Sequence, residues 1–157
     1  LDLTIPSRIA NLNETADGTI LGLRHAIAEE TVWNGYRRLL EAIAFGSTLQ
    51  PRLRRTQPDR FGYLLEQYAS DWGSHLNVWR QPEDTVMIAF EFLLEDGIVR
   101  AASGQKIEYR TVLAGAGSRP APPVEAGRLH RLFGWVVPNL APAVPADVQA
   151  FLRYYAG

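Results

Sequence analysis

Thr85-Val86-Met87-Ile88-Ala89-Phe90-Glu91-Phe92-Leu93-Leu94-Glu95 is the stretch on which the fold turns. Val86, Met87, Phe90, Leu93 and Leu94 recur at helical spacing, whereas Val86, Ile88, Phe90, Phe92 and Leu94 alternate as a strand does. The flanks decide between the two. Gln81-Pro82-Glu83-Asp84 has turn chemistry, and Asp96-Gly97 is a hairpin signal. Thr, Val, Ile and Phe also favour the pleated state. The stretch therefore reads as a strand over 85–95 in an antiparallel meander.

Working outward, the same reading places strands at 75–79, 98–102, 106–113 and 128–137. Segment 114–126 is rich in Gly, Pro and Ala and reads as a long exposed loop, and 147–155 reads as a short helical tail. Before the meander, Phe61, Leu64, Leu65, Tyr68 and Trp72 share one helical face. Thr56 suits the N-cap and Pro58 the first turn, which predicts a helix over 59–72. Further upstream, Val32, Tyr36, Leu39, Leu40 and Ile43 form a helical stripe that Gly46 would close. Residues 20–27 fit either a helix or a strand, and 1–18 read as an irregular arm with a short helix near 7–12. The expected architecture is one α+β domain, a curved antiparallel sheet packed on N-terminal helices, with residues 139–157 as a tail.

The 157 residues suit one domain. Sixteen cations against 17 acids leave a net charge of −1, too balanced to attract nucleic acid or an anionic membrane by field alone. Cysteine is absent, which removes thiolate catalysis and thiolate metal sites. No apolar run has the length of a membrane span, and a cytoplasmic location is the expectation. Leu1 in place of a Met is consistent with a processed product or an excised domain, so a leader or anchor stays open.

Over roughly 58–138 the chain resembles the NTF2-like superfamily, in particular its SnoaL-like members. The resemblance is carried by the expected helix 59–72 and the strand 85–95. It is carried also by Ser103-Gly104-Gln105-Lys106 leading into 107–113, and by Gly127-Arg128-Leu129 opening the last strand. It implies an NTF2-like cone, in which a curved sheet wraps helices around a pocket. It also implies a small apolar or aromatic ligand, with acid–base lyase, isomerase or cyclase chemistry as one use. The last strand lacks the acid or histidine such enzymes commonly place in the pocket, having Trp135-Val136-Val137-Pro138 near its end and His130 alone for proton transfer.

His25, His75 and His130 have no ligand-pair spacing, so no metal is expected, and no cofactor motif is present. Glu91 is the candidate catalytic acid. On the strand its face reads Met87, Ala89, Glu91, Leu93, and a carboxylate among apolar neighbours would be poised to shuttle protons. Its alternative is an ion pair with Arg100 or Arg110, or plain exposure. Tyr68, Trp72, Phe90, Tyr109 and Trp135 are the candidate ligand-lining residues, since aromatic walls with a few hydroxyl anchors suit flat apolar ligands. Tyr68 or Tyr109 would neighbour Glu91. Arg37, Arg38, Arg52, Arg54, Arg55 and Arg60 form a local basic group, read as a solvated surface partly paired with Glu41 and Asp59. The competing function is a non-catalytic interaction or assembly domain that uses its sheet face, for which a homodimer through the sheet is the simplest assembly.

Overall fold

The computed structural model describes residues 7–15, 18–25, 30–114 and 117–157. They fall into two compact units, Leu1–Glu41 and Ala42–Gly157. The first holds an antiparallel hairpin, β1 (Ser7–Thr15) and β2 (Gly18–His25), and most of α1 (Glu30–Ser47). The hairpin replaces the expected irregular arm and its short helix near 7–12, and it makes 20–25 strand; residues 26 and 27 lie outside the described residues. Residues 1–6 of that arm lie outside the described residues. A register shift between Ile9 and Asn11 lets Ile9 and Leu12 share a face, opposite Leu23 and Leu21. That unpaired spacing of three is why strand alternation was hidden in the sequence.

The second unit is a seven-stranded meander followed by helices. Its strands are β3 (Gln50–Arg54), β4 (Leu64–Ala69), β5 (His75–Arg80), β6 (Met87–Leu94), β7 (Gly97–Ala102), β8 (Glu108–Val112) and β9 (Ser118–Pro120). They lie side by side in chain order and every neighbouring pair is antiparallel. The chain then forms α2 (Pro123–Val136), a 3-10 turn Val137–Asn139, and α3 (Ala146–Ala156). The expected strands at 75–79, 85–95, 98–102 and 106–113 and the tail helix are all present with small changes at their ends. No described helix is long and apolar enough to cross a membrane.

Other expectations are corrected. Segment 59–72 is not a helix: it is a turn followed by β4. The Asp59 carboxylate accepts the amides of Phe61 (2.8 Å) and Tyr63 (3.1 Å), which fixes a turn rather than a helical start. Leu64, Glu66 and Tyr68 then face one way and Leu65 and Gln67 the other. Segment 128–137 is not a strand. Residues 128–136 belong to α2, whose Leu129, Leu132, Phe133 and Val136 are buried at helical spacing behind Pro123 in the first turn, and Val137 begins the 3-10 turn. The helices packed on the sheet are therefore mainly C-terminal, and the sheet is not strongly curled. Within 114–126, Ser118–Pro120 form an edge strand, while Gly115 and Ala116 lie outside the described residues.

The core is one layer. The inner sheet face presents Leu76, Val78, Phe90, Phe92, Leu94 and Val99 to the helices. The Phe90 and Phe133 rings stack with centroids 5.6 Å apart, and Phe92 meets Phe133 edge-on at 6.4 Å. Two glycines permit this closeness. A Cβ on Gly97 would sit 2.2 Å from the Leu129 side chain, so Gly97 is needed for the approach of α2 to β7. Gly46 does not end α1 as expected. It lies inside the helix, where a Cβ would stand 2.8 Å from the Val136 carbonyl.

These positions separate two tryptophan and phenylalanine substitutions. Phe133→Ala should cost about 3–5 kcal/mol, the range for emptying a buried aromatic site. Trp72, expected on the core face of a helix, sits in the β4–β5 turn and is 58% exposed. Trp72→Ala should stay within about 0.5 kcal/mol of the parent in urea unfolding. Equal losses for the two variants would contradict this packing.

Candidate functional site

Where β4, β5 and the start of α3 meet, four charged groups and a phenol surround an open cleft of about 410 Å³. Its charged lining is Arg54, Glu66, Arg80 and Asp147, with Tyr68 between them. Glu66 and Arg80 are buried, at 5% and 6% exposure, although both belong to residue types that are almost never buried unpaired. They point inward because Glu66 pairs across the ladder with Val78 and both strands keep strict alternation there.

The Glu66 carboxylate is held from three sides. Arg54 Nε lies 3.0 Å from Oε1, Arg80 Nε lies 3.1 Å from Oε2, and the Tyr68 hydroxyl donates to Oε2 over 3.2 Å. The Arg80 Nε contact is close but poorly directed, and Nε makes no hydrogen bond although it is buried. That contact is an ion pair without a good hydrogen bond. Arg80 Nη1 is better placed: it donates to the Thr85 carbonyl (2.9 Å) and to Asp147 Oδ2. Thr85 has φ 59°, a left-handed conformation that is uncommon for a β-branched residue. The bond from Arg80 and the Thr85 amide bond to Gln81 O hold it there.

Burial pushes the Tyr68 phenol up to about 12, and the negative charge of Glu66 adds to the rise. Burial alone would lower Arg80, but its bonds to Asp147 and the Glu66 charge outweigh that and leave it raised. The hydrogen bond from Arg80 lowers the Asp147 carboxyl more than burial raises it. Pro51, Leu53, Ala143 and Pro145 complete the wall with apolar surface.

No protein-family model, curated protein or solved structure matches this chain. The site therefore stands on its own geometry.

The candidate residues read from the sequence do not converge. Tyr68 lines the charged cleft. Glu91 and Phe90 border a different, larger cleft of about 720 Å³ that opens on the outer sheet face. Glu91 is half-buried, with Asn77 and Arg100 as its cross-strand neighbours. Neither expected tyrosine is its partner: Tyr68 serves Glu66, and the Tyr109 hydroxyl lies 2.8 Å from His130 Nδ1 on α2. The Glu91–Arg100 ion pair is also absent, because Arg100 makes two bonds to Glu108 at 2.9 and 2.8 Å. Trp72 is on an exposed turn, and Trp135 packs half-buried against the core from α2. Of the basic group, Arg37 pairs with Glu41, Arg54 with Glu66 and Arg52 with Asp71.

Sequence reasoning missed Glu66, Arg80, Asp147 and Arg54. Only Glu66 left a local signal, as a charge between Leu64 and Tyr68 on one strand face.

The phenol gives a test at high pH. Unfolded, Tyr68 releases its proton near the ordinary value of 10.0, whereas in the fold it holds it to about 12. Through that interval the unfolded chain binds fewer protons, so stability falls as pH rises. Tyr68→Phe should flatten this alkaline limb of the stability curve. At low pH the sign reverses for Asp147. Its contribution is present above the ordinary value of 3.8 and is lost as pH falls through the lowered one, so Asp147→Asn should make the acid limb shallower. Unchanged limbs in both variants would contradict the network.

Proposed function

We propose that this chain is a small-molecule pocket protein whose site is the charged cleft, and that its ligand is neutral overall, with an apolar or aromatic body and a carbonyl. The observation that carries this is the balanced set of Arg54, Arg80, Glu66 and Asp147 facing an apolar wall. Two cations against two acids leave no net charge to hold an ionic ligand. A charged ligand would have to displace one member of a pair and leave the other exposed to an uncompensated neighbour. A carbonyl needs only a donor. Tyr68 is suited to that task, because its bond to Glu66 is long at 3.2 Å for an O–H donor and its phenol stays protonated well above neutral pH. Pro51, Leu53, Ala143 and Pro145 would take the apolar body.

In an acid–base version of this function Tyr68 is the proton donor to the carbonyl and Glu66 holds its orientation. Kinship with NTF2-like proteins belongs to the same proposal. It rests on a sheet with one helical face and a cleft at its end, without requiring a closed cone.

Acetophenone is a suitable probe, with ethylbenzene and benzoate as controls that remove the carbonyl or add a charge. In an NMR titration, acetophenone should shift the signals of Tyr68, Arg54 and residues near Pro145, and bind more tightly than either control. Tyr68→Phe should weaken it by about tenfold, the loss expected when one neutral hydrogen bond is removed. Preference for benzoate, or shifts confined to other parts of the chain, would overturn the proposal.

A further inference from the structure

The outer face of the sheet is chemically distinct from the charged cleft. By register, Leu65, Trp79, Ala89 and Ala102 form a row across β4 to β7. Next to it runs a polar row of Gln67, Asn77, Glu91, Arg100 and Glu108. Two adjoining clefts, of about 720 and 500 Å³, share Trp79, Ala89 and Ala102 as a common wall. Strand and turn residues alone line both, whereas the hydrophobic side chains buried from the helices belong to the inner-face core. An antiparallel sheet often leaves one face to water, but that face is then mainly polar. Here a half-buried tryptophan stands on it, near the end of β5.

The charges on this face are self-complementary. Arg100 and Glu108 satisfy each other. Glu91 and Lys106 remain, opposite in sign, on the border of the same cleft, and neither has a charged partner among the described residues. In an isologous contact about a two-fold axis running between them, each would face the other's copy in the second molecule. We propose that the outer sheet face is the docking surface for a second copy of this chain, with Trp79 inside the contact and Glu91 of each copy paired to Lys106 of the other.

The size fits a modest dimer. Five strands at about 4.8 Å spacing and roughly 20 Å long offer roughly 500 Å² of flat area, and more with side-chain relief, against about 800 Å² per partner in a standard interface. Sheets packed face to face stand about 10 Å apart, which leaves room for Trp79 to interleave with its copy. The dimer is expected to dissociate with a constant on the order of micromolar.

Lys106 is the single lysine of the chain, which makes the pairing directly testable. Sedimentation over a concentration series should show a monomer–dimer equilibrium. A carbodiimide, which joins a carboxylate to an amine with no spacer, should yield a covalent dimer whose linked peptides contain Glu91 and Lys106. Glu91→Lys and Lys106→Glu should each weaken association at least about tenfold, and the double exchange should restore it to within about threefold. Trp79→Ala should weaken it as well. A monomer at every concentration overturns the proposal. So does a dimer that survives both Glu91→Lys and Trp79→Ala, or a cross-link from Lys106 to a carboxylate remote from Glu91.

Discussion

Arg80 ties β4, the turn before β6 and α3 together at one corner of the sheet. It leaves the end of β5 on the inner face, meets the Glu66 carboxylate on β4, caps the Thr85 carbonyl in the turn to β6, and reaches Asp147 in the first turn of α3. An arginine this deeply buried needs compensating charge, and Glu66 and Asp147 supply it from opposite sides. These residues line the cleft at the corner where the sheet meets α3.

The remainder of the second unit accommodates that corner. Away from it the inner face is apolar, and α2 lies close enough for Phe133 to stack on Phe90. Gly97 permits this by offering no side chain where Leu129 lands. At the far end Arg128 ties α2 to the β6–β7 turn through Glu95 and Asp96, and Glu125 on the same helix holds the guanidinium in place. Polar clusters thus hold the helical layer at both ends, and the aromatic contact fills the middle.

Much of the sheet was legible because turn chemistry brackets its strands. Pro82-Glu83-Asp84 and Asp96-Gly97 isolate β6, and the alternation of Phe90, Phe92 and Leu94 then names the buried face. The misread β4 and α2 have physical causes. In β4 the inward Glu66 breaks the apolar alternation, leaving Leu64, Leu65 and Tyr68 to mimic a helix. In α2 the glycines and the Trp135-Val136-Val137 run resemble a strand, although Leu129, Leu132, Phe133 and Val136 already carry helical spacing. The cleft itself could not be read locally. Arg80 and Asp147 are 67 residues apart, and nothing in either neighbourhood marks the partner. Glu91 shows the converse: its ladder neighbour Arg100 was visible in the hairpin, but Arg100 turns to Glu108.

The buried pair is best tested by a double-mutant cycle in urea with Arg80→Met and Glu66→Gln. Removing Arg80 leaves the Glu66 charge buried with only the exposed Arg54 beside it, and should cost about 3–5 kcal/mol. Removing Glu66 leaves the buried Arg80 with Asp147 as its remaining carboxylate partner, so that single loss should be the smaller of the two. With both replaced no buried charge remains, and the former partners Arg54 and Asp147 are exposed to water, so the double variant should be at least about 2 kcal/mol more stable than the sum of the single losses implies. Additive losses, or single losses below about 1 kcal/mol, would mean that Arg80 and Glu66 do not depend on each other and that the corner is held by something else.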